Sequence, residues 1–312
     1  MTIEKKEKKL NEIRRDALGR TMVLSASRSS RPHDAQKPRV AKIVMPEHCY
    51  FCPGNEHLTP PEIDRIEKGG KWEIRCFPNK FPAFSKESKK AYGSHEVVVE
   101  TPDHARTLSE LSAENLSDYL RMISMRTKTA YDDPRIKYVC VFKNEGQAAG
   151  ASLEHSHTQM VSMDFVPKLV SRMAKKTEAF RKMPMKQAKN IFYENDSFFS
   201  LCPKASRFPN EIWITPKKPL NSILDMGPKQ IADLACSLRL SLLALDSKTG
   251  YSPYNIVFHS APKGTENFPF HVEILPRMAT WAGFEFATEI VMISSIPAES
   301  AKQLSEIIKK TP

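Results

Sequence analysis

The chain reads as an α+β protein made by internal duplication, with antiparallel sheets and helices packed on them. Two observations lead there. A long amphipathic helix, a buried-type strand, a loop of small residues and a histidine-bearing strand follow one another once in each half. The order of strand, helix, strand, Gly-rich loop and strand also fits antiparallel sheets with helices packed on them better than a doubly wound parallel sheet. Identity between the halves is low, so the duplication is degenerate. The halves divide at 1–166 and 167–312.

The elements follow in order. Residues 1–18 are strongly charged and read as a helix or a loose arm. Arg20 to Ser25 is apolar enough for a strand, and a basic loop through Arg28 and Arg31 follows. Trp72 to Cys76 and His95 to Glu100 read as strands. Phe77 to Pro82 between them must be irregular, because it carries two prolines four residues apart. Leu116, Tyr119, Leu120 and Ile123 keep helical spacing within a helix from Ser109 to about Ala130. Tyr138 to Lys143 and His155 to Met163 are strands flanking the small-residue loop. After a basic helical linker from Pro167 to about Lys189 come strands within Asn190–Leu201 and at Glu211–Thr215. A helix then spans Lys229–Asp246, with strands at Tyr254–His259 and Phe270–Leu275. A strand at Thr288–Ser294 and a helix at Ala298–Lys309 close the chain.

Composition excludes several classes. No stretch reaches the roughly 18 consecutive apolar residues of a membrane span, and the Lys-rich start lacks the apolar core of a signal peptide, so a cytoplasmic location is expected. The net charge of +11 suits small polyanions such as nucleotide sugars. Nucleic acid is not expected as a partner, since no aromatic residues alternate with the basic clusters in a base-stacking pattern.

The chemistry concentrates in Asn144-Glu145-Gly146-Gln147-Ala148-Ala149-Gly150-Ala151-Ser152-Leu153-Glu154-His155-Ser156-His157-Thr158-Gln159. In an extended strand His155, His157 and Gln159 share a face. A neutral imidazole can attack phosphorus, loop N–H groups can hold the non-bridging oxygens, and an amide can donate to developing charge. His-x-His is also a common metal pair. Cys49-Tyr50-Phe51-Cys52 offers two thiolates to a tetrahedral zinc, for which His104 and His155 are the chosen remaining ligands. A redox role for this pair is disfavoured, because the segment is Pro-rich and does not open a helix.

Together, Cys-x-x-Cys, the Pro102-Asp103-His104 motif, the long loop-plus-histidine motif and the late Phe258-His259-Ser260-Ala261-Pro262 resemble the galactose-1-phosphate uridylyltransferase family, the transferase branch of the histidine triad superfamily. The resemblance spans Arg28 to Glu285. It implies a histidine-triad-like fold in each half, with the zinc site and nucleophile in the first and a degenerate copy in the second. It implies His157 as the nucleophile of a covalent nucleotidyl-histidine intermediate, Gln159 as the amide on the transferring phosphoryl group and Ser152 as a phosphate-binding hydroxyl. Cys49, Cys52, His104 and His155 match the ligands of one structural zinc per chain. Arg28, Arg31, Asn79, Asn144, Gly146 and Gly150 match positions around the nucleotide. Phe284 and Glu285 match a segment that contacts the hexose from the neighbouring subunit of a homodimer.

Some positions depart from the family pattern. A second metal site of three histidines and a glutamate is kept only as His259 and His271, with Glu273 at the third histidine position, so a second metal is disfavoured. The leading expectation is transfer of UMP between UDP-glucose and galactose 1-phosphate. Ala149-Gly150-Ala151-Ser152 also resembles nucleotide-sugar phosphorylases of the ADP-glucose type, which use inorganic phosphate as acceptor. A zinc-stabilised, catalytically silent binder is the weakest reading, because a pure binder has no need of the nucleophile.

Overall fold

A computed structural model describes residues 11–25 and 48–311. Arg28 and Arg31 lie outside the described residues. The elements are strands β1 (Glu12–Arg15), β2 (Thr21–Leu24), β3 (Asp64–Lys68), β4 (Lys71–Pro78) and β5 (Gly93–Val99), helix α1 (Ala113–Asp132), and strands β6 (Tyr138–Glu145) and β7 (His157–Met163). Helices α2 (Lys168–Ala174) and α3 (Thr177–Lys186) lead to β8 (Ile191–Glu194), β9 (Phe198–Leu201) and β10 (Ile212–Pro216). Helix α4 (Pro228–Thr249), β11 (Tyr254–His259), β12 (His271–Pro276), α5 (Gly283–Thr288), β13 (Val291–Ile293) and α6 (Pro297–Ile308) complete the chain.

Ten strands form one sheet in the order β3-β4-β5-β7-β6-β11-β12-β10-β9-β8. Every neighbouring pair in it is antiparallel. Read inward from the first edge the order is β3-β4-β5-β7-β6, and read inward from the other edge it is repeated as β8-β9-β10-β12-β11. A pseudo-twofold therefore runs between β6 and β11, where Tyr254 pairs with Glu145 and Phe258 with Val141. The recurrence visible in the sequence is this repeat, and pairing its two inner strands fuses the halves into one sheet.

Alternation along the strands sets the two faces. Val139, Val141 and Met160 join the large core under α1, α4 and α6, while Tyr138, Val161 and Met163 face a second cluster with Phe180 and Trp213. Helix α1 starts where the Ser112 hydroxyl accepts the Asn115 N–H at 3.1 Å. Helix α4 starts with Pro228 and stops at Gly250 in the left-handed region (φ 70°). No helix among the described residues is long and apolar enough to cross a membrane.

Three sequence expectations need correction, and one strand has no counterpart among them. Residues 12–15 form a strand, not a helix, because β1 pairs with β2 from Glu12↔Leu24 to Arg15↔Thr21. The extended pairing of β7 begins at His157, and His155 sits in the bend before it. Strand β3, hidden by its charged sequence, is an edge strand where polar residues are tolerated. The closing strand is only Val291–Ile293, because Gly283–Thr288 is helical.

Candidate active site

The Cys49–Cys52 loop, the segment after β5 and the bend before β7 converge on one cluster. Cys49 Sγ lies 3.5 Å from His155 Nδ1, and Cys52 Sγ lies 3.4 Å from His104 Nδ1 and 3.6 Å from His155 Nδ1. Ligands at the corners of a zinc tetrahedron are roughly 3.3–3.8 Å apart, given bonds of about 2.3 Å to sulfur and 2.0 Å to nitrogen. All four donor atoms fall within 4.8 Å of one another. His155 Nε2–H donates to the Thr101 carbonyl at 2.8 Å, which leaves the Nδ1 lone pair turned toward the thiols. Burial and the adjacent Cys49 push the Cys52 thiol up to about 12, so a bound cation is what would ionise it. The donor set fits zinc.

His157 opens β7 beside this cluster. Its Nδ1–H donates to the His155 carbonyl at 2.8 Å, and since a carbonyl can only accept, Nε2 keeps the lone pair. Burial, helped by the charge of Lys143, lowers its pKa and keeps the ring neutral. Phe51 packs edge-on against it, with ring centroids 5.3 Å apart. His157, Gln159, Asn79 and Ser152 line a cavity of about 410 Å³, a size suited to a nucleotide-like ligand. Its walls add Phe51 and Phe77 from the small apolar cluster of the first half, and Phe81 stands 82% exposed at the rim.

The small-residue loop differs from its expected role. Ala149 N–H and Ala151 N–H both donate to Gly146 O, at 3.0 and 3.2 Å, and Gly150 N–H donates to Gln147 O at 2.9 Å. Those donors close a tight turn instead of facing a ligand. Gly146 (φ 81°) is required there, because a Cβ would stand 3.0 Å from Pro253. Asn144 does not line the cavity; its Oδ1 accepts from Asn255 Nδ2 at 2.8 Å across the β6–β11 seam, and the same amide also donates to Ala149 O at 2.8 Å. Asn144, Gly146 and Gly150 thus shape the loop that carries Ser152. Glu285 accepts from the N–H groups of Ala282 and Met292, at 3.0 and 3.4 Å, fastening its own helix, and Phe284 is half-exposed. Neither lines the cavity.

Two features escaped the sequence reading. His95 Nε2 is 2.8 Å from Gln159 Oε1, and Asn79 Nδ2 is 3.4 Å from the same nitrogen. The signal was available, since His95 and Val97 alternate onto the pocket face of β5. Behind β7, Lys143 and Glu100 form a fully buried ion pair at 2.9 Å. In the second half, His259 Nε2 lies 3.2 Å from Glu273 Oε2, and His271 Nε2 lies 3.7 Å from Glu273 Oε1. These three could gather around an ion, but Arg207 already donates to Glu273 at 2.6 Å and to Glu211 at 3.1 Å.

Residues 1–167 match the family described as "Galactose-1-phosphate uridyl transferase, N-terminal domain", and residues 85–311 match a domain of unknown function, DUF4921. An ADP-glucose phosphorylase of Arabidopsis thaliana is 30% identical, covering 95% of this chain and 93% of its own. A galactose-1-phosphate uridylyltransferase of Thermotoga maritima is 27% identical, covering 91% of this chain and 94% of its own. A crystal structure of an ADP-glucose phosphorylase from Arabidopsis thaliana with bound ADP-glucose superimposes with a TM-score of 0.84 at 28% identity. It covers 95% of this chain and 99% of that one.

Proposed function

This chain belongs to the galactose-1-phosphate uridyl transferase family, and we propose that it is a nucleotide-sugar phosphorylase of the ADP-glucose type working through His157. The observation that carries the chemistry is a buried, neutral imidazole whose Nδ1 proton is held by the His155 carbonyl, leaving Nε2 as nucleophile beside the cavity. The choice of donor and acceptor is supported by the 30% identical phosphorylase, which matches over nearly both whole chains.

In the first step the Nε2 lone pair attacks the phosphorus next to the nucleoside. The bond from that phosphorus to the bridging oxygen breaks, and hexose 1-phosphate leaves with the electron pair as an anion. In the second step an oxygen of inorganic phosphate attacks the same phosphorus, the P–N bond breaks, and nucleoside diphosphate is released while the imidazole recovers its lone pair. Gln159 and Ser152 donate hydrogen bonds to the non-bridging oxygens, and Asn79 contacts the nucleotide. Arg28 and Arg31 belong near its phosphates, and Asn144, Gly146 and Gly150 hold the loop. Cys49, Cys52, His104 and His155 would hold one zinc per chain, which would fix the bend that presents His157; Arg207 on Glu273 argues against a second ion. Phe284 and Glu285 reach a hexose only from a second subunit, which makes a homodimer part of this reading. Reduced thiols and nucleotide sugars coexist in the cytoplasm, its expected location.

The second reading is uridylyl transfer from UDP-glucose to galactose 1-phosphate, favoured by the 27% identical uridylyltransferase. A donor-by-acceptor screen separates the two. Protein mixed with ADP-glucose or UDP-glucose labelled at the nucleotide phosphate should retain acid-labile label, and His157→Ala should retain none. Release of labelled ADP by inorganic phosphate supports the phosphorylase. Formation of UDP-galactose from galactose 1-phosphate supports the transferase, and no labelling from either donor would remove both.

A further inference from the structure

Resting on the nucleotidyl-transfer reading, we infer that Lys143 and Glu100 are positioning residues that clamp the backbone of His157 from the face of the sheet opposite its ring. Residues 156 to 158 alternate, so Ser156 and Thr158 point away from the cavity, toward α1. Lys143 Nζ donates to Glu100 Oε2 at 2.9 Å, to Ser156 Oγ at 2.8 Å and to the His157 carbonyl at 3.2 Å. Glu100 in turn accepts from Ser156 Oγ at 2.5 Å and from Thr158 Oγ1. Tyr119 of α1 shares a hydrogen bond of 2.8 Å with Thr158 Oγ1. One ion pair thus grips three consecutive residues centred on the nucleophile.

The cost of such an arrangement points to a purpose beyond folding. Lys143, Glu100, Ser156, Thr158 and Tyr119 are all at most 1% exposed. A buried ion pair adds little net stability compared with apolar residues of the same volume, because both ions lose their hydration. Glu145 Oε2, 3.3 Å away, gives Lys143 a second carboxylate. Burial opposes the charge on Lys143, but the two carboxylates outweigh it and hold the ammonium protonated. Its three protons are then shared among fixed oxygen acceptors, which makes the clamp stiff. On the opposite side, the Nδ1 bond to His155 and the Phe51 ring fix the imidazole itself. Backbone and ring are therefore held by separate contacts, and loss of the clamp should lower reaction rate more than binding, because a nucleophile must approach its target within a few tenths of an ångström.

The test compares wild type with Lys143→Met/Glu100→Gln, which removes both fully buried charges at nearly constant volume and leaves Glu145, whose side chain is 12% exposed, in contact with solvent. Tm, KM for the nucleotide sugar, the single-turnover rate of His157 labelling at saturating donor, and amide hydrogen exchange of residues 155–159 are measured. The expected result is a Tm within a few degrees of wild type and KM within about twofold. The labelling rate should fall by at least about tenfold, and exchange should quicken at residues 156–158 alone. A folded double variant with the wild-type labelling rate overturns the inference, as does a rate loss matched by an equal rise in KM. Should wild type label with no nucleotide sugar, the reaction reading fails separately. The clamp is then judged by exchange, and unchanged protection at 156–158 overturns it.

Discussion

His95 Nε2 stands 2.8 Å from Gln159 Oε1, and this contact decides which end of the Gln159 amide faces the cavity. The Ala83 N–H donates to His95 Nδ1 at 3.3 Å, so that nitrogen carries no proton and Nε2 must carry it. Nε2–H then donates to Oε1, and the amide NH2 of Gln159 is left to face the cavity. Burial lowers the pKa of His95 and keeps it in this neutral tautomer.

If His95 acts through Gln159, their substitutions should not add. Gln159→Ala should lower the labelling rate on the order of 10²-fold, the usual loss for one donor to developing charge. His95→Leu should lower it by tenfold or more, roughly, since the freed amide can flip. The double variant should match Gln159→Ala alone. Single-turnover labelling measures all three, and multiplicative losses would refute the coupling.

The zinc cluster should hold about one ion per chain and release at least one proton on filling, from the buried Cys52 thiol. Cys52→Ser protein should lose the zinc and several kcal/mol of stability, as is typical of structural sites. Elemental analysis with a pH-indicator titration of metal-stripped protein checks both. Full zinc occupancy in the serine variant would contradict the ligand assignment.

Acid should weaken the second half through His259. Burial, partly offset by Glu273, depresses its pKa from 6.5 to about 4, so the fold favours the neutral ring. The associated stability is fully present above pH 6.5 and is lost as pH falls toward about 4, on the order of 3 kcal/mol in all. Thermal melts of wild type and His259→Gln across this window measure it. Parallel pH profiles for the two proteins would show that another group is responsible.

Gly93 begins β5 where β7 passes closest. A Cβ there would lie 1.9 Å from the Ser162 carbonyl oxygen, so backbone must move to admit it. Gly93→Ala should cost about 3 kcal/mol or more. Gly70→Ala, at φ 73° with nothing within 4 Å, should cost only the left-handed backbone penalty of about 1–2 kcal/mol. Urea unfolding compares them, and equal losses would mean that the sheet accommodates the methyl group at Gly93.

Sequence patterns that act locally were readable. The spacing of Leu116, Tyr119, Leu120 and Ile123 marked α1, and all four are fully buried beneath it. The order of helix, strand, loop and histidine strand marked the duplication that appears as a repeated strand order. Cys49, Cys52, His104 and His155 were selected on donor type and meet in space. Charged elements were not readable, because β1 and β3 owe their extended form to a paired neighbour rather than to apolar alternation.

The sequence by itself determined the chemical parts: an imidazole pair, an amide, a zinc-type donor set and a loop that needs glycine. It did not determine how they divide their work. Tertiary structure decided that His155 turns its Nδ1 to the thiols while its carbonyl orients His157, and that the loop N–H groups bond within their own turn. It also decided that His95 orients Gln159 and that Lys143 and Glu100 brace β7 from behind. The reason is physical: donor type is a property of one residue. A tautomer, an amide orientation or a buried ion pair depends on partners that lie up to 64 residues away in the chain, as His95 and Gln159 do, and folding alone brings them within 3 Å.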